Sequence, residues 1–94
     1  MQVIRITKIE DCFDGSFIKE FELDDKISKH FIKKLGQGCC LEYFSDFPRP
    51  FFRIEKKNQY QIKGVENSTT MQAIFSRSCS PKCVENLINL IQTI

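Results

Sequence analysis

Tryptophan is absent from this 94-residue chain, histidine occurs once, and no apolar run approaches the ~18 residues that a membrane-crossing helix needs. The last two shortages narrow the function. Without a long apolar run, no helix spans a bilayer. With His30 as the sole imidazole, any imidazole-based acid–base or Cys–His chemistry has to run through that residue. His30 shares a helix flank with Lys26, Lys29, Lys33 and Lys34, none of which can orient its ring as a carboxylate would, so this side reads as a solvated basic face. A G-x-S-x-G nucleophile elbow is also missing. No charge of one sign dominates: 14 Lys and Arg against 12 Asp and Glu leave a net charge of +2, too little to drive nucleic-acid binding by counterion release. The first residues, Met1 to Lys8, alternate instead of forming the apolar core of a signal peptide, so the expected location is the cytoplasm.

What is present is the material of one small α+β domain spanning residues 1–94. Nine Phe with many Ile and Leu supply the core. Ile4 and Ile6 alternate with Arg5 and Thr7, the period of a half-buried strand. Asp14-Gly15 is a turn signal, and Phe17, Phe21 and Leu23 line one face of a second strand, completing a hairpin. Ile27, Phe31 and Leu35 recur every fourth residue and predict a helix over 26–35, capped by Asp24 or Asp25, with Gly36 suited to a left-handed C′ position.

Four strands then read as a meander over 39–44, 51–56, 60–65 and 70–75, with turns at Lys57-Asn58 and Glu66-Asn67-Ser68. Inward candidates are Leu41, Tyr43, Phe52, Ile54, Tyr60, Ile62, Met71, Ala73 and Phe75. A last helix begins with Ser80 as N-cap and Pro81 at the first helical position. Val84, Leu87, Ile88, Ile91 and Ile94 form its buried stripe, and Leu90 falls outside it. The order is ββαββββα, and short connections favour antiparallel pairing. Each helix has one apolar face, so both are expected on a single side of one antiparallel sheet.

The five cysteines are Cys12, Cys39, Cys40, Cys79 and Cys83. An odd number without a secretion signal speaks for reduced thiols or metal-bound thiolates over a disulfide framework. Cys79 and Cys83 enclose three residues, where zinc and redox motifs more often enclose two. Cys39 and Cys40 are adjacent, and adjacent strand residues point to opposite faces. These spacings favour incidental thiols, with Cys39 as a small core hydrophobe. Cys83 stands apart, because the first turn of a helix with Lys82 beside it favours a thiolate, although its place four residues before Leu87 turns it toward the sheet. Asp14-Gly15 does not mark a calcium loop, since that alignment puts Cys12 and Phe21 at ligand positions. Gly36-Gln37-Gly38 follows a helix and precedes a strand, the reverse of a phosphate-binding loop.

The most informative segment runs from Phe44 to Phe52, with four Phe around Pro48 and Pro50. If Phe52 points inward, Phe51 points outward, and Phe47 sits in a loop. Exposed aromatic and Arg side chains are typical interface anchors. Two readings stand: the loop presents a docking patch, or it folds back over one end of the core. The function expected is a non-enzymatic interaction module, self-associating or docking a protein partner, with Phe47, Arg49, Phe51 and Arg53 at the contact and no cofactor. The alternative is a thiol-based redox or metal-binding protein (zinc or iron–sulfur) using Cys79 and Cys83.

Overall fold

The computed structural model describes residues 1–11, 13, 15–79 and 81–94. Cys12, Asp14 of the turn signal and the Ser80 cap lie outside the described residues. Eight elements follow the order ββαββββα: β1 (Val3–Asp11), β2 (Phe17–Leu23), α1 (Lys29–Leu35), β3 (Cys40–Phe44), β4 (Phe51–Lys56), β5 (Tyr60–Val65), β6 (Thr70–Phe75) and α2 (Pro81–Gln92). The strands form one sheet in the order β1-β2-β6-β5-β4-β3, antiparallel at every pairing. The N-terminal hairpin and the four-stranded meander are therefore joined by β2 against β6, with β1 and β3 as the two edges.

Alternation sorts the sheet into two faces. Phe21, Phe52, Ile54, Tyr60, Ile62, Met71, Ala73 and Phe75 are buried on one of them, in a single cluster with Phe31, Ile32 and Leu35 of α1 and Leu87 and Ile91 of α2. Both helices thus pack on the same side, and α2 also holds Leu90 against the core. The Tyr60 hydroxyl shares this environment: burial first, and Cys39 second, push its pKa to about 12. Gly64 is required where it stands, because a Cβ there would lie 2.7 Å from two ring atoms of the buried Phe52.

Three local features differ from the sequence reading. The first helix begins at Lys29, not at residue 26, and its cap is Ser28, whose Oγ accepts from the Phe31 N–H at 3.1 Å. Ile27 is excluded because its backbone is already bonded to the β5–β6 turn, donating to the Ser68 carbonyl and accepting from the Asn67 N–H, each at 2.8 Å. Its side chain is still fully buried. Asp24 and Asp25 accept instead from the N–H groups of Gln2 and Lys26. Second, Gly36 ends α1 with right-handed geometry at φ −83°, and the left-handed residue is Gly38 at φ 78°. Third, β1 is an edge strand with register shifts between Val3 and Arg5 and between Lys8 and Glu10. Val3 packs on the core, whereas Ile4 stays 62% exposed and Ile6 38%.

Candidate interaction surface

The face opposite the helices is built from the outward residues of all six strands. Register pairs place Glu42, Arg53, Lys63, Gln72, Glu20 and Thr7 in one row across it. An adjacent row runs through Phe44, Phe51 and Val65 at one end and Thr70, Glu22 and Arg5 at the other.

The aromatic end is a cluster of three rings. Phe44 stacks on Phe51 with centroids 4.6 Å apart, and Phe47 closes the group at 5.2 Å from Phe51 and 6.3 Å from Phe44. Phe47 is 52% exposed and Phe51 37%, so the loop between β3 and β4 does not roll over the core. Its exit is anchored by the Glu66 N–H donating to the Pro50 carbonyl at 2.8 Å. On the other side of the strand, the Tyr43 hydroxyl donates to Glu66, and that hydrogen bond raises the phenol's pKa.

Beside the rings lies a groove of about 560 Å³ lined by Phe44, Phe51, Val65, Arg53, Lys63 and Gln72, with Glu20 at its far side. Arg53 donates to Glu42 at 2.7 Å, and this carboxylate holds its guanidinium more firmly protonated than usual. Lys63 stands directly opposite Arg53 in register, a like-charge pair that strand neighbours usually avoid. The groove is thus apolar along one wall and cationic beside it.

Of the residues singled out from sequence, Phe47, Phe51 and Arg53 share this surface, and Arg49 is exposed in the loop between the two Phe. Lys63, Gln72 and Glu20 were missed. Alternation marks each as outward, but only the pairing of β2 with β6 brings Glu20 next to Gln72, and no local signal announces that pairing.

The cysteines are arranged differently from the expectation of free thiols. Cys79 and Cys83 form a disulfide with a Cα separation of 5.7 Å, within the range such bridges use. It ties the segment after β6 to the first turn of α2, with Cys79 buried and Cys83 packed on the core. Cys39 and Cys40 are free, the first half-buried and the second exposed. Among the described residues, no three His, Cys, Asp or Glu side chains come together as a metal site. His30 and the surrounding lysines are all exposed.

The exposure of the rings sets an energetic expectation. Phe47→Ser and Phe51→Ser should shift the thermal midpoint by only a few degrees, as surface changes do. Phe52→Ala should cost about 3–5 kcal/mol, because Phe52 is buried and its loss opens a cavity. Thermal and urea unfolding check this, and a loss of several kcal/mol at Phe47 would make the loop a structural cover. Compared with known families, characterised proteins and solved structures, the chain matches none.

Proposed function

We propose that this protein is a non-enzymatic interaction module whose contact surface is the outer sheet face around Phe47, Arg49, Phe51 and Arg53. The observation that carries the reading is the three-ring cluster of Phe44, Phe47 and Phe51, held on a sheet face that neither helix covers. Exposed aromatic area is costly in water at about 25 cal/mol per Å², and a partner that covers it recovers that energy. Arginine and aromatic side chains together make the usual energetic centre of such contacts. The groove is open and has cations on one flank but no paired acid and base, so it suits docking better than bond-making.

A second reading rests on the disulfide between Cys79 and Cys83. In a thiol-based role, the two reduced side chains give up two electrons and two protons to a low-molecular-weight disulfide, which departs as two thiols. The bridge supports this reading, whereas the absence of a third nearby ligand among the described residues gives no support to a metal role. Equilibration in glutathione buffers of graded ratio, followed by alkylation and peptide mapping, tests it. The reading requires Cys79 and Cys83 to oxidise together at a defined ratio while Cys39 and Cys40 remain alkylatable. Independent labelling of Cys79 and Cys83 at every ratio would remove it.

The docking reading is tested by placing a photo-crosslinking phenylalanine analogue at position 47 or 51 in cells that make the protein, with position 57 as control. Lys57 is exposed in the turn after β4. Discrete adducts from 47 and 51, identified by mass spectrometry and absent from 57, are the expected result. No adduct from either site, or the same adducts from the control, would overturn the reading.

A further inference from the structure

We infer that the outer sheet face binds a second copy of this chain, face to face, about a two-fold axis running along β6. This rests on the docking reading above and names the partner of that surface.

Arg5 is paired with Glu22, and Arg53 with Glu42. In the same row as Arg53 and Glu42, Lys63 and Glu20 form no ion pair among the described residues. These two sit symmetrically about β6: Glu20 is in register with Gln72 from the β2 side, and Lys63 is in register with Gln72 from the β5 side. Rotation by half a turn about an axis along the outer surface of β6 therefore carries Glu20 of one copy over Lys63 of the other, and does so twice. Gln72 then meets its own counterpart, where an amide both donates and accepts. Ile74, the other outward residue of β6 at this end, meets Ile74 across the axis. The same rotation brings β1 over β4, so that Arg5 approaches Phe51, a pairing of guanidinium with aromatic ring, while at the opposite rim Glu10 meets Glu55, a like-charge contact that limits the association.

The dimensions agree. Packed sheets lie about 10 Å apart, a gap that a Glu and a Lys reaching from opposite sides can close. The five strands that overlap about β6, at about 4.8 Å, and six residues at about 3.3 Å give a face of roughly 500 Å² per copy, about 1,000 Å² in all, the size of weak transient contacts. A reversible association follows, not a permanent dimer. The net charge of +2 opposes it little. Phe44 and Phe47 lie at the rim of the overlap, beside the open edge of β3.

Charge reversal tests the geometry, because the two positions exchange places across the axis. Wild-type protein should show a concentration-dependent rise from monomer to dimer mass by light scattering or sedimentation. Glu20→Lys alone and Lys63→Glu alone each set like charges against one another twice, and each should weaken association roughly tenfold or more. An equimolar mixture of the two variants places opposite charges at both contacts and should return to dimer mass, as should the double variant. Thermal midpoints near the wild-type value show that the variants fold, as expected for two side chains outside the core.

A wild-type protein that remains monomeric at the highest soluble concentration would overturn the inference. So would a dimer indifferent to both reversals, or a mixture that stays monomeric. None of these outcomes removes the broader docking reading if crosslinking at position 47 or 51 captures a different protein.

Discussion

Two segments far apart in the chain have to find each other before this molecule has either a core or a surface. β2 lies against β6 from the Phe17–Phe75 pair to the Glu22–Thr70 pair. Without that ladder there would be a hairpin with one face of Phe, marginal on its own in water, and a separate meander with β6 as an open edge. With it, Phe21 comes against Met71 in register and approaches Phe75 edge-on at 6.3 Å, and one cluster extends beneath both helices. The same ladder sets the opposite face: Gln72 already neighbours Lys63 within the meander, and Glu20 of the hairpin joins them only through the pairing of β2 with β6.

The consequence is a division of labour between the faces. Helices cover one face, and among the described residues it contains no buried polar or charged side chain. The other carries mixed charges, Thr70 and Gln72 along β6 and a ring cluster at one corner. Leaving Phe47 half in water costs energy, and folding offers a simple alternative: the 45–50 loop could have turned inward. Its exit is instead fastened to the β5–β6 turn at Glu66, which fixes the rings at the rim of the outer face. That fastening makes the patch a built feature of the fold.

Much of this was legible in the sequence, and the limits have physical causes. Strict alternation identified β4, β5 and β6 to the residue, because each buries one face and exposes the other. It also placed Phe51 outside and Phe52 inside. The start of α1 was misjudged because Ile27 fits the helical spacing of Phe31 and Leu35 yet spends its backbone hydrogen bonds on the β5–β6 turn, a tertiary contact that periodicity cannot see. Ile4 and Ile6 looked half-buried because alternation shows that residues share a face, not that anything covers it at a sheet edge. The bridge between Cys79 and Cys83 was set aside on counting grounds, whereas the turn into α2 brings their Cα atoms within bonding range. Glu20 and Lys63 could be marked as outward, but their relation depends on strand order, which short connections alone do not dictate.

The central claim is that one sheet face carries the fold and the other carries the contact. The most direct measurement is the backbone amide spectrum of labelled protein recorded across a wide range of its own concentration. The account predicts progressive shifts at Glu20, Gln72, Lys63, Ile74 and Phe51, with α1, α2 and the core-facing residues unchanged. Shifts confined to the open edge of β1 around Ile4 and Ile9, or spectra that do not change with concentration, would contradict self-recognition through this face.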